Sequence, residues 1–188
     1  MVKAAIIGCG KIAQVRHIPE YLEHQAVNLV GFYDLNEKRA EELAEKYGGK
    51  AYGSVEELLA DPQIDAVSIC TANHTHAELT IKALKAGKHV LCEKPMAITL
   101  EECQRMVECA EENHRKLLIG QNQRLTRTHQ MARKLIADGE IGNVLSFQTS
   151  FQHSGPESWS VDAGKNTWFF QKKAAAMGVM GDLGIHKT

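Results

Sequence analysis

The sequence predicts an α/β fold, a doubly wound parallel sheet of the Rossmann kind followed by the start of an α+β domain. Three observations predict it. An apolar run, Ala4-Ala5-Ile6-Ile7, enters the glycine turn Gly8-Cys9-Gly10-Lys11-Ile12-Ala13 almost at once. A second apolar run, Val27 to Tyr33, ends on an acid, Asp34. Short apolar runs and helical segments then alternate over the first two thirds of the chain, which implies right-handed βαβ crossovers and a sheet covered on both faces.

Each part of the opening unit has a physical reason. Gly8 permits the tight turn, Gly10 lets backbone N–H groups approach a pyrophosphate, and Ala13 is the small residue that helix–strand packing needs. A helix leaving this turn, with Lys11 and Ile12 in its first positions, presents unpaired N–H groups and a positive dipole end to phosphates. Asp34 stands where a ribose-binding carboxylate belongs. Because a carboxylate accepts ribose hydroxyls and repels an added phosphate, NAD is the expected cofactor, with NADP the less favoured alternative. Lys38 and Arg39 are expected on the solvated face of the next helix.

That helix is expected over 36–47, ending at Gly48-Gly49. Ser54 reads as an N-cap with Glu57 at the capping-box position, and Asp61-Pro62 stops the helix they open. Further strands are expected around residues 51–52, 64–70, 89–92 and 116–119, and helices over 75–86, 99–113 and 128–138. From Val144 to Phe151 the pattern alternates as in a strand with one buried face, read here as the first strand of a second domain. The expected division is a dinucleotide-binding domain over 1–121, then a junction helix and the incomplete start of a substrate and oligomerisation domain over 122–188.

Composition narrows the partners. The 188 residues are 44% hydrophobic with a net charge of -1, which favours neither nucleic acid nor an anionic membrane surface. No stretch suits a bilayer span or a signal peptide, so a cytoplasmic protein is expected. Five cysteines, an odd number without CxxC pairing, read as reduced thiols. His74 and His76 form an HxH pair with no acidic or thiol set beside it, and no metal is expected.

Two segments carry candidate chemistry. Glu93-Lys94-Pro95 follows the strand ending at Cys92, at the carboxyl edge where ligands of open α/β sheets bind. Lys94 is placed either to stabilise alkoxide character on a substrate oxygen or to stand as a solvated loop lysine. Pro95 shapes the turn, with a cis bond as one option. Asp182 and His186 are four apart, which on a helix sets them on one face. They read either as a joint acid–base pair, histidine titrating near neutrality, or as a helix cap beside a half-exposed ring. His17, His24, His114, His129 and His153 read as surface or packing residues.

The chain resembles the Gfo/Idh/MocA oxidoreductases, the glucose–fructose oxidoreductase and inositol dehydrogenase group. The resemblance rests on AIIGCGKIA, Asp34, TANHTHAE from Thr71, CEKPMA from Cys92 and GDLGIH from Gly181. Ala72, where the family usually has proline, and the loosely matching segment Gln121 to Leu125 depart from it. The resemblance implies a Rossmann domain joined to an α/β domain with a large, mainly antiparallel sheet that often mediates homo-oligomerisation. It implies a catalytic Lys94, His186 as the base taking a hydroxyl proton, and Asp182 holding sugar hydroxyls or orienting the imidazole. Thr71, Asn73, His76, Glu93 and Lys94 would line the cofactor groove, and Arg124 and Trp168 would meet substrate together with Lys94, Asp182 and His186. The expected activity is NAD(P)-dependent hydride transfer at a hydroxyl of a sugar, cyclitol or related polyol. A nucleotide-binding fragment or sensor without turnover is one alternative; a redox-assisted glycosidase of the same family is another.

Overall fold

The computed structural model describes residues 1–162 and 167–187. Six strands, β1 (Val2–Ile7), β2 (Val27–Tyr33), β3 (Lys50–Ala51), β4 (Ala66–Ile69), β5 (His89–Cys92) and β6 (Leu117–Ile119), form one sheet. Its order is β3-β2-β1-β4-β5-β6, and every neighbouring pair runs parallel. The order reverses between β1 and β4, which opens a crevice at their carboxyl ends.

The apolar runs become strands because both sheet faces are covered. Along β1, Ala5 and Ile7 join a core cluster with Leu58, Val67, Leu84 and Met106, while Ile6 turns to the other face with Ile18, Phe32 and Leu43. The first face packs on α3 (Val55–Ala60), α4 (His76–Lys85) and α5 (Leu100–Glu112); the second packs on α1 (Ile18–Glu23) and α2 (Glu37–Tyr47).

Helix starts follow the expected cap chemistry. Side chains of Asn36, Ser54 and Thr99 accept hydrogen bonds from the backbone N–H three residues on, at 3.4, 3.0 and 3.1 Å. Each such cap contributes about 1 kcal/mol relative to alanine. Glu57 bends back as a capping-box acid does, but it accepts from Gly53 N–H at 3.1 Å, one residue before the cap. Glu102 makes the same contact with Ile98 N–H.

Two segments depart from expectation. The helix after the glycine turn widens into a π-helical stretch, Ala13–His17, before α1. Val144 to Phe151 forms no ladder among the described residues, and all eight positions are exposed. Alternation specifies two faces, but a strand exists only where a partner takes its backbone hydrogen bonds, and no described strand lies beside it. The rest of this region holds α6 (Arg127–Ala137), α7 (Lys172–Ala175), α8 (Gly178–Asp182) and short 3₁₀ turns, including Asn122–Leu125 and Gly184–His186. No described helix is long and apolar enough to cross a membrane.

All five cysteines are free, and only Cys103 is not buried. Burial pushes the Cys9 and Cys92 thiols up to about 12, so the reactive thiolate is scarce at neutral pH. Iodoacetamide added to the folded chain should therefore place at most one adduct per molecule, on Cys103, as read by intact mass. Rapid multiple labelling would contradict this packing.

Candidate functional site

A groove of about 470 Å³ runs along the carboxyl ends of the central strands. Gly8, Gly10, Lys11 and Ile12 from the first turn, Asp34 from the end of β2, Thr71 and Asn73 after β4, and Glu93 and Lys94 after β5 all line it. Asp182 and Trp168 close it from the C-terminal segment. Among the described residues, then, one cavity brings together most of the residues singled out from the sequence.

The glycine turn is built against the neighbouring strand. Gly8 has φ +93°, and a Cβ there would lie 2.8 Å from the backbone carbonyl of Cys70 and from Thr71 Cγ2. Neither an L side chain nor that approach is tolerated. At Gly10 the same test meets no atom within 4 Å, so the turn is open on its groove side. Ala13 is fully buried beneath it.

Asp34 is held firmly. Its Oδ2 accepts from Cys9 N–H at 2.7 Å, and its Oδ1 accepts from Asn36 N–H at 2.8 Å and from Arg39 Nη1 at 3.2 Å. Arg39 does not lie on the solvated face expected of it. It lines the groove and bridges Asp34 to Asp162, whose Oδ1 is 2.5 Å from Nη2. A carboxylate offers roughly four lone-pair sites, and three are in use. A ligand needing two hydroxyl acceptors on Asp34 must therefore displace Arg39.

At the other end, Lys94 Nζ donates to Asp182 Oδ1 at 2.9 Å and to Asp182 O at 3.0 Å. The peptide bond from Lys94 to Pro95 is cis. Glu93, 8% exposed, accepts from Lys94 N–H at 3.1 Å through Oε2 and from His17 Nε2 at 2.9 Å through Oε1. Burial raises the Glu93 carboxyl; the hydrogen bond from His17, the hydrogen bond from the Lys94 N–H and the Lys94 charge outweigh this and hold it below its ordinary value.

Asp182 and His186 do not share one helix face. The helix α8 ends at Asp182 and His186 belongs to the following 3₁₀ turn, because Gly184 intervenes and the α-helix does not continue through it. Asp182 orients Lys94 rather than the imidazole, with His153 Nε2 3.9 Å from its Oδ2. His186 packs edge-on against Phe151 at 5.1 Å, and its buried Nδ1 has no hydrogen-bond partner. Burial first, then the Lys94 charge, push the His186 imidazole below its ordinary value.

Three expected site residues, His186, His76 and Arg124, do not line the groove. His76 is 1% exposed, with Nδ1 2.7 Å from Pro95 O and Nε2 3.1 Å from Thr71 O. It ties two groove turns together instead of lining the groove, since the buried face of α4 turns its ring inward. Arg124 lines a second cavity, beside Arg16, Tyr21 and Arg133; the 3₁₀ turn after β6 carries it to the far side of the sheet edge. Asn73 lines the groove but is also a brace, donating to Ala175 O at 3.0 Å. His17, taken as surface or packing from the sequence, is buried and bonded to Glu93. The signal was its position four residues after Ala13, on the same inward face.

The comparisons with known proteins agree with this geometry. Residues 2–121 match the family model "Oxidoreductase family, NAD-binding Rossmann fold", and residues 129–188 match "GFO/IDH/MocA C-terminal domain". Glucose-6-phosphate 3-dehydrogenase of Bacillus subtilis (strain 168) is 35% identical over 187 residues, covering 99% of this chain and 51% of its own. D-glucoside 3-dehydrogenase of Escherichia coli (strain K12) is 31% identical over 187 residues, covering 98% and 51%. Among solved structures, KijD10, a 3-ketoreductase from Actinomadura kijaniata in complex with NADP and TDP-benzene, superposes with a TM-score of 0.70 at 27% identity, covering 73% of this chain and 42% of that one. The chain thus spans about half the length of these relatives. With the glycine turn, the sheet order and both family models in agreement, this chain belongs to the Gfo/Idh/MocA family of oxidoreductases.

Proposed function

We propose that the chain serves NAD(P)-dependent hydride transfer at a ring hydroxyl of a sugar or related polyol. One observation carries the reading: a single groove holds the open glycine turn and Asp34 at one end and the Lys94–Asp182 pair at the other. The residues fit a dinucleotide. A Cβ at Gly10 would meet no atom within 4 Å, which leaves that side of the turn open to a phosphate, and the helix that follows contributes its N–H groups and dipole. Bound there, the nicotinamide supplies the hydride acceptor or donor.

This chain's own residues do the rest. The turn from Gly8 to Ile12 grips the pyrophosphate, and Asp34 takes an adenosine ribose hydroxyl. Thr71 and Asn73 wall the middle of the groove, and Glu93 faces the nicotinamide ribose. Lys94, oriented by Asp182, donates to the substrate oxygen and stabilises its alkoxide character. His186, kept neutral by burial and by Lys94, takes the hydroxyl proton. Trp168 walls the substrate side. The names of both curated relatives and of the solved neighbour specify position 3, so the 3-hydroxyl of a hexose ring is the first substrate to try.

NAD is the proposed cofactor because Asp34 opposes a 2′-phosphate. Arg39 supports the second reading, NADP, since its guanidinium would pair with that phosphate once freed from Asp34 and Asp162. Calorimetric titration with both coenzymes, followed by absorbance of the reduced nicotinamide in the presence of a D-glucoside, tests the reading. NAD should bind at least tenfold more tightly than NADP. Arg39→Ala should leave NAD binding intact or improved and weaken NADP about tenfold. Heat from neither coenzyme would overturn the proposal; binding without turnover would favour a sensor.

A further inference from the structure

A buried hydrogen-bonded line runs behind the groove, and the proposed mechanism uses only its last member, Glu93. Tyr21 Oη lies 2.5 Å from Ser68 Oγ, Ser68 Oγ lies 3.3 Å from His17 Nδ1, and His17 Nε2 lies 2.9 Å from Glu93 Oε1. Ser68 is fully buried and His17 nearly so. The line connects the second cavity, which Tyr21 and His17 line, to the cofactor groove, which Glu93 also lines.

The direction of these bonds fixes the charges. An ionised Glu93 requires a hydrogen on Nε2. A neutral ring then presents a bare Nδ1, which needs a donor, and Ser68 Oγ–H supplies one. Ser68 in turn accepts from the Tyr21 hydroxyl. Every donor then has an acceptor, with the imidazole neutral and the carboxylate anionic; an imidazolium would instead donate to Ser68, turn the serine hydroxyl toward Tyr21 Oη, and leave the tyrosine proton without an acceptor in the line.

The remaining charges do not cancel Glu93. Lys94 is engaged by Asp182 through both its carboxylate and its carbonyl. His76 on α4 and His186 also feel Glu93, and burial depresses both imidazoles toward the neutral form. Tyr21, Cys70 and Cys92 also feel it, and burial raises all three toward their neutral forms; of the cations that line the second cavity with Glu93, Arg16 and Lys134 are paired with Glu20 and Asp138, and Arg124 and Arg133 stand with them. On the β6 side stands Gly120, where a Cβ would come within 3.0 Å of Glu93 Oε1, so the carboxylate is clamped between His17 and bare backbone.

We propose that His17, aligned by Ser68 and Tyr21, is a positioning residue that holds Glu93 as an uncompensated anion in the groove, and so biases the site toward the oxidised, cationic nicotinamide over the neutral reduced one. This rests on the dinucleotide reading of the groove. A fixed negative charge in a poorly solvated site attracts a cationic ring and is indifferent to a neutral one.

The test is the ratio of affinities for NAD+ and NADH, measured by calorimetry on the intact chain. Glu93→Gln should shift the ratio about tenfold toward NADH. His17→Leu strips the donor from a buried carboxylate, which then takes up a proton; the ratio should move the same way, and a protonated-carboxyl band should appear in the infrared spectrum and vanish when Glu93→Gln is added. His17→Gln, whose amide N–H still reaches Glu93, should restore most of the wild-type ratio. Should His17→Leu fail to fold, Ser68→Ala reads the same effect at several-fold, because Nδ1 loses the donor that keeps the ring neutral. A wild-type ratio in Glu93→Gln overturns the proposal while leaving the cofactor reading in place. Failure of the wild-type chain to bind either form overturns the cofactor reading and this proposal with it.

Discussion

Gly10→Ala should fold with the Tm of the wild-type chain and yet lose dinucleotide affinity by at least tenfold, whereas Gly8→Ala should lose both. The two glycines are two residues apart, and their surroundings differ as their expected roles do. A methyl at Gly10 meets no protein atom within 4 Å, so the folded state has no reason to object; it occupies instead the space in which a pyrophosphate approaches backbone N–H groups. A methyl at Gly8 would sit 2.8 Å from the Cys70 carbonyl, with φ at +93°. The backbone strain alone costs about 1–2 kcal/mol and the clash about 1–3 kcal/mol more, because a fixed strand backbone cannot yield as a side chain can. Thermal unfolding separates the stability effects, and calorimetry with NAD reads affinity. Equal losses of Tm in both variants would mean that the turn is only structural; an unaltered affinity in Gly10→Ala would remove the phosphate from it.

The contrast shows which parts of the site can be read from residues alone. Apolar runs such as Ala66–Ile69 and His89–Cys92 announced their strands because a sheet covered on both faces admits little else. The glycine turn and Asp34 were legible for the same local reason, since a turn followed by a helix is specified within about a dozen residues. Glu93 and Lys94 were legible through their place just after a strand, where the sheet edge supplies the groove.

What was not legible depends on distant partners. Arg39 looked like a surface charge because helix-face reasoning sees only its own helix; Asp34 and Asp162, 5 and 123 residues away, draw it into the groove. His17 is invisible as a site residue until β4 and β5 bring Ser68 and Glu93 to it, although a histidine four residues from a buried alanine already implied a ring in need of partners. The spacing of Asp182 and His186 presumed one continuous helix, and Gly184 undercuts that presumption. Val144 to Phe151 has the alternation of a strand, yet alternation carries no information about who takes the hydrogen bonds.

Replacing Lys94 should be the most damaging single change to turnover. Its ammonium is held by two oxygens of Asp182 at 2.9 and 3.0 Å, a geometry that fixes the charge at the groove wall before any substrate arrives. Lys94→Met should lower turnover of a hexoside with NAD by about 10²–10³-fold at saturating NAD, the scale for losing one preorganised donor to a developing oxyanion. The same variant makes a second, independent readout in the titration of His186. Its imidazole is held below the ordinary value by burial first and by the Lys94 charge second. A base must be neutral to accept a proton, so a depressed pKa extends the active range toward acid, and the rate of oxidation falls only as the pH drops through that depressed value. Removing the Lys94 charge lifts the His186 midpoint, and both the NMR titration of the ring and the acid limb of the pH–rate profile should move upward together. If the ring's midpoint rises and the limb stays fixed, His186 is not the base. An unmoved midpoint would mean instead that burial alone sets the imidazole and that Lys94 and His186 act without feeling one another.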